Sequence, residues 1–286
     1  MLLLNNTKLC LGTFPNKETY LDVQSNIIKQ GENLIKMKFE SDSDLFQLYG
    51  LKKYIDEIAP ESRVTLVMDY IPYSRMDRQQ EDRLFTLKYL ADYINSLNFD
   101  SVVVMEPHSD VSIELINNLK VINKSVILAR FAMVEHSDSY GTTGKDLYKD
   151  LTSKGVYLVY PDKGAKDRYS KQIDYPNIIS FNKKRDFNTG KIVGIEIENE
   201  QEAVKCKTAI IVDDLCSKGG TFIGVASKLR ELGASRIELV VTHCENTVFD
   251  GEVLKGTVID KVYTTDSILD TSVCKDKDML NRLKIL

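Results

Sequence analysis

The sequence predicts an α/β protein of two domains, each a mainly parallel sheet flanked by helices. Three observations predict it. Short Val- and Ile-rich runs alternate with amphipathic stretches along the chain. Those runs are apolar throughout rather than alternating with polar residues, the pattern of strands covered on both faces. The 286 residues suffice for two ordinary domains.

Taken in order, Arg63–Met68 reads as a buried strand. Leu84, Leu87, Leu90, Ala91 and Ile94 fall at helical spacing over 84–97. Ser101–Met105 is a second strand. The apolar runs 126–129, 156–159, 178–179, 209–212 and 237–242 read the same way. Between the last two, 221–232 is helical and Gly233 closes it. The segment 135–144 is polar and Gly-rich, a linker between two halves. This predicts domains 1–142 and 143–286, with the end of the chain packing back on the first.

Composition excludes several functions. Thirty-eight basic against 42 acidic residues give a net charge of −4, which is no electrostatic footprint for nucleic acid. No apolar run approaches the ~18–20 residues that cross a bilayer. The opening Met1-Leu2-Leu3-Leu4 stops at Asn5, too short for a signal peptide. The five cysteines are scattered and contain no CxxC pair. A disulfide framework and a zinc site are therefore not expected, and a reducing cytoplasm is the expected home.

The run from Ala209 to Thr221 carries the most chemistry. An apolar strand ends in Asp213 and Asp214; Leu215, Cys216, Ser217 and Lys218 follow, and Gly219-Gly220-Thr221 opens a helix. Glycines let backbone N–H groups approach a phosphate, the helix N-terminus adds positive potential, and Thr221 can donate its hydroxyl. Two carboxylates beside an anion site suit sugar hydroxyls or a bridging metal, so the combination points to a ribose phosphate. The other reading is a plain βα turn whose acids cap the helix, although capping acids normally follow such glycines.

This segment resembles the phosphoribosyl-pyrophosphate loop of type I phosphoribosyltransferases and of ribose-phosphate pyrophosphokinases, usually Asp-Asp-x-x-Asp-Thr-Gly-Gly-Thr. Ser217 and Lys218 stand at its fifth and sixth places. Further segments resemble the pyrophosphokinases in order. Pro72-Tyr73-Ser74-Arg75-Met76-Asp77-Arg78 is similar to their Pro-Tyr-x-x-Arg-Gln-Asp-Arg, with Met76 in place of Gln. On the residues alone, its arginines suit a polyphosphate or form a solvated ion-pair cluster. His108, after the second strand, falls on the family's metal-binding histidine. Val159-Tyr160-Pro161-Asp162-Lys163-Gly164 resembles Ser-Pro-Asp-x-Gly. Asn182-Lys183-Lys184-Arg185 resembles the catalytic Asp-Lys-Arg-Arg, or is a solvated charge run. Phe39 alone matches the family's adenine hairpin.

The resemblance implies two type I phosphoribosyltransferase-like domains, the first binding ATP and the second a ribose phosphate. It implies Lys183 and Arg185 as catalytic cations, and Phe39, Arg75, Asp77, Arg78 and His108 on ATP. Asp213, Asp214, Ser217, Lys218, Gly219, Gly220 and Thr221 would hold the ribose phosphate, and His108 and Asp162 Mg²⁺. The activity implied moves the β,γ-diphosphate of ATP to the anomeric hydroxyl of ribose 5-phosphate, or of ADP-ribose as in divergent phage-type members that rebuild NAD. Partners would be these small molecules and copies of the chain itself, as a dimer or hexamer. The location would be the cytoplasm, that of the host for a phage-encoded member. A non-catalytic regulatory homologue and a phosphoribosyltransferase are the alternatives. The first is opposed by the retained Lys183 and Arg185, the second by the Arg75–Arg78 segment and the chain length.

Overall fold

The chain divides into two compact units, Met1–Ile122 and Asn123–Leu286. The computed structural model describes residues 1–138, 144–185, 192–198 and 204–286, with backbone alone at 183–185, 192, 193 and 195.

The first unit contains β1 (Leu2–Leu4), β2 (Thr7–Lys8), β3 (Cys10–Thr13), β4 (Thr19–Asp22), β5 (Glu32–Met37), α1 (Ser43–Ile58), β6 (Arg63–Met68), α2 (Thr86–Ser96), β7 (Ser101–Met105), α3 (Val111–Leu115) and β8 (Leu119–Ile122). Its sheet runs β2-β1-β5-β6-β7-β8, while β3 and β4 form a separate hairpin. Strands β5 to β8 are parallel, and β1 lies antiparallel on β5. Ile35, Met37, Leu66, Met68 and Val104 are fully covered, as are Leu48 and Ile55 of α1 and Leu87 of α2. Burial of such side chains stabilises by roughly 1.5–3 kcal/mol each.

The second unit contains α4 (Lys124–Val134), α5 (Lys145–Ser153), β9 (Val156–Tyr160), α6 (Lys163–Tyr169), β10 (Ile178–Arg185), β11 (Ile192–Ile197), β12 (Thr208–Cys216), α7 (Gly220–Glu231), β13 (Arg236–Cys244), α8 (Glu252–Lys255), β14 (Lys261–Thr264), α9 (Lys277–Asn281) and β15 (Leu283–Ile285). Its sheet runs β11-β10-β9-β12-β13-β14-β15, and only β11 is antiparallel to its neighbour. Ile210, Ile211 and Val212 of β12 and Leu239 to Val241 of β13 have no exposed surface. This is the two-sided cover that apolar, non-alternating strands require.

Two boundaries differ from the sequence reading. The run 126–129 is part of a helix, α4, rather than a strand. Its Leu128, Ala129, Ala132 and Met133 are buried while Ile127 is half exposed, and a four-residue apolar run is too short to tell the two apart. At one end of α4, Ser125 Oγ donates to the Asp213 carbonyl at 2.9 Å. Near the other end, His136 Nε2 lies 3.0 Å from Glu238 Oε2. These bonds tie α4 to β12 and β13, so the divide falls after Ile122 rather than after residue 142. Strand β15 pairs in parallel with β14, which makes the end of the chain an edge of the second sheet. No helix of the described residues is long and apolar enough to cross a membrane.

Candidate active site

Strand β12 lies between β9 and β13, with Ile211 opposite Val159 and Asp213 opposite Val241. The parallel register therefore brings the ends of β9 and β12 together, and with them Asp162, Asp213 and Asp214. Burial pushes the Asp213 carboxyl well above the usual carboxylate range, and the charges of Asp214 and Asp162 add to the push. The Asp214 N–H donates to Asp213 Oδ1 at 2.9 Å and works the other way. Asp162 caps α6, its Oδ1 accepting from the Ala165 N–H at 2.9 Å.

The loop after β12 is shaped by glycine. Gly219 has φ +78°, and a Cβ there would lie 2.1 Å from Val253 Cγ2. Only glycine fits that left-handed conformation against that neighbour. Gly220 is the opposite case: a Cβ there would meet nothing within 4 Å. Open space thus faces the first turn of α7, a twelve-residue helix whose first N–H groups have no partner within the helix. Ser217 Oγ lies 3.0 Å from Thr247 Oγ1, and Thr247 donates on to Glu245 Oε2 at 3.2 Å. Lys218 and Gly220 are exposed, and Thr221 is half-buried.

In the first unit, the expected ATP residues follow β6 and β7. Asp77 is buried, and its Oδ1 accepts from Arg78 Nε at 2.9 Å. Burial raises its pKa, but hydrogen bonds from Arg78 and Ser109, with the Arg78 and His108 charges, outweigh it and hold the carboxyl below its usual range. Asp77 therefore orients Arg78, whose side chain is 68% exposed, rather than facing solvent itself. The structure brings Asp77, Arg78, His108 and Ser109 together; Arg75 is exposed beside them in sequence. Phe39 packs edge-on to Tyr73 at 6.2 Å, and the Tyr73 hydroxyl donates to Asp42.

Lys183 and Arg185 lie at the end of β10, opposite Ile195 and Ile192 of β11. Their backbone is strand rather than loop, and their side chains lie outside the described residues. Among the described residues, no group of three or more His, Cys, Asp or Glu side chains forms a metal cage.

Sequence reasoning missed Arg168. Its Nη1 lies 3.4 Å from Asp214 Oδ2 with the side chain 25% exposed. Burial works against its charge, but Asp214, Tyr169 and Asp213 outweigh that and raise its pKa. The available signal was its place in the last turn of the helix that Asp162 opens. Thr247 and Glu245 gave no signal, because they reach the loop only through sheet register.

No protein-family model matches the chain. It is 26% identical over 236 residues to the ribose-phosphate pyrophosphokinase of Saccharolobus solfataricus, covering 80% of this chain and 74% of that one. The enzyme of the same name from Rhodopirellula baltica is 27% identical over 285 residues, covering 93% of this chain and 80% of its own length. That from Vibrio parahaemolyticus is 28% identical over 271 residues, 90% and 78% of the two chains. Phosphoribosylpyrophosphate synthetase from Mycobacterium smegmatis superposes with a TM-score of 0.72 over 98% of this chain and 85% of that one, at 17% identity. That likeness is one of fold. With matches of one name spread over most of its length, the chain is a divergent homologue of the ribose-phosphate pyrophosphokinases.

Proposed function

We propose that the chain is an ATP-dependent pyrophosphokinase acting on a ribose 5-phosphate unit. The anomeric hydroxyl attacks the β-phosphorus of ATP, the new O–P bond forms as the α,β-bridging bond breaks, AMP leaves, and the hydroxyl proton passes to solvent. The observation that carries this reading is the join of paired carboxylates and an open helix N-terminus through one left-handed glycine, Gly219. That join suits a sugar diol and its phosphate together. The homologues' shared name supports the reaction class.

In this reading the protein mainly positions its substrates and stabilises charge. Backbone N–H groups of 219–221 hold the 5-phosphate, and Asp213 and Asp214 the ribose hydroxyls. Arg75, Arg78 and His108, with Phe39 at the adenine, take ATP. Lys183 and Arg185 stabilise charge that grows on the transferring group. Mg²⁺ fits this donor set. Asp162, at the end of β9, is a hard oxygen donor of the kind Mg²⁺ takes, and one or two protein carboxylates with retained waters suffice for that ion. Asp162 would be a metal ligand within the second unit and His108 one within the first, and the ion would neutralise the ATP oxygens when bound. Assembly as a homo-oligomer and a cytoplasmic location belong to the same reading.

Two acceptors fit the loop. Ribose 5-phosphate needs only the backbone cradle. ADP-ribose carries a second phosphate, and the exposed Lys218 supplies a cation beside the 5-position. The test is mass analysis of products from ATP, Mg²⁺ and each acceptor in separate tubes. AMP with a pyrophosphorylated sugar is the expected result. Stoichiometric ADP would make the chain an ordinary kinase.

A further inference from the structure

The acceptor carboxylates need something to hold them. Asp213 and Asp214 are neighbours in one strand, Asp162 adds a third negative charge nearby, and Asp214 is only 5% exposed. A buried carboxylate without a partner is costly and has no fixed direction. Helix α6 answers this. It starts on the Asp162 cap and, at its far end, brings the Arg168 guanidinium within 3.4 Å of Asp214 Oδ2. The same guanidinium lies 5.8 Å from the centroid of the Tyr169 ring.

We propose that Arg168 is a positioning residue of the acceptor site, which pins Asp214 so that the paired carboxylates meet the sugar diol in one arrangement. This rests on the acceptor-site reading above. Arg168 acts through Asp214 and need not touch the substrate. It explains how two adjacent acids can serve one sugar. Without the cation Asp214 would lose its charged partner on the α6 side and with it a fixed direction, and a misplaced hydrogen-bond acceptor loses most of its worth. A lysine would restore the charge opposite Asp214, where the 3.4 Å contact is an ion pair rather than a hydrogen bond, but not the shape of the guanidinium.

The experiment is calorimetric titration of the full chain, in Mg²⁺, with ribose 5-phosphate, with ADP-ribose and with ATP, on wild type, Arg168→Gln and Arg168→Lys. Thermal melts of each variant run alongside. Arg168→Gln should weaken the acceptor about 10- to 100-fold, the loss of one charge-assisted contact, while ATP affinity stays within about twofold. Arg168→Lys should recover part of the loss. Where the wild type turns over, KM for the acceptor should carry the effect and KM for ATP should not. Equal loss for acceptor and ATP, or a loss that follows the melting temperature and is not rescued by lysine, makes Arg168 merely structural and overturns the proposal. Unchanged acceptor affinity overturns it as well. If the wild type binds ATP but neither acceptor, the acceptor-site reading fails and this inference with it. If it binds an acceptor without turnover, only the reaction is wrong and the binding result still decides Arg168.

Discussion

Ser217 Oγ lies 3.0 Å from Thr247 Oγ1, so the hydroxyl that stands at an acid's usual place in the loop is held by a neighbouring segment. Thr247 passes the bond on to Glu245. An aspartate at 217 would set a new carboxylate near that glutamate. The double substitution Ser217→Asp with Lys218→Thr should therefore damage use of ADP-ribose by roughly 10- to 150-fold in kcat/KM, one charge-assisted contact. Ribose 5-phosphate use should be spared. Steady-state kinetics on both acceptors checks this, and equal effects on the two would remove Lys218 from acceptor choice.

The two loop glycines should separate folding from binding. Gly219→Ala puts a Cβ on Val253 at φ +78°. It should destabilise by about 1–3 kcal/mol from the backbone alone, before the clash is added. Gly220→Ala meets nothing within 4 Å and should melt like the parent. Its methyl group instead enters the space proposed for phosphate, so acceptor KM should rise. Thermal melts and kinetics on the pair decide it; parental acceptor KM in Gly220→Ala would place the phosphate elsewhere.

Asp162 has a structural task as well as a proposed chemical one. Asp162→Asn keeps an oxygen to accept from the Ala165 N–H and should retain the helix cap. Asp162→Ala should cost about 1 kcal/mol through loss of that cap. If the carboxylate also serves Mg²⁺, the asparagine variant should keep its stability and need more Mg²⁺ for half-maximal activity. An unchanged Mg²⁺ requirement would leave Asp162 as a cap alone.

Lys183→Ala and Arg185→Ala should each lower kcat by ~10²–10³ and leave KM nearly unchanged, because charge that grows only in the transition state is stabilised there. A pure KM effect would make them ground-state binders. Parental kinetics would make 183–185 a solvated charge run.

Glu135 predicts a pH dependence of stability. Burial raises its pKa, but hydrogen bonds from Lys261 at 2.5 Å and Tyr263 at 2.7 Å outweigh this and hold it below its usual value. A carboxyl depressed in the fold stabilises above its unfolded pKa, and that stability is lost as pH falls through the folded one. The wild type should therefore lose urea resistance on acidification below about pH 4.5, the ordinary glutamate value. Glu135→Gln should lose less over the same window. Identical acid slopes would remove Glu135 from the transition.

The loop after β12 was legible because its conformation is written in residue types. Adjacent acids end a strand, and Gly219 adopts the φ that other residues avoid. The parallel sheets were legible from apolar strands without alternation. Helix α4 was not, since its exposed face also carries the apolar Ile127 and Phe131, which hides the helical period. Asp77 was legible as part of a motif, but its buried, inward role depends on Ser109 and His108, which the fold brings from beyond α2. Arg168 stayed hidden for the same reason. A charge in a polar stretch such as 162–168 reads as solvated until sheet order shows what it faces.

The order β10-β9-β12 has an evolutionary consequence. Asp162 follows β9 and Asp213 lies in β12, neighbouring strands whose spacing is fixed by backbone bonding, yet the chain leaves the sheet interior between them to form β10 and β11. That excursion, which carries Lys183 and Arg185, joins the sheet from outside, along β9. Because β10 alone of the two bonds to β9, changes in β11 need not shift the carboxylates. On the proposed function, the cations and the acids are then separate modules, open to change one at a time.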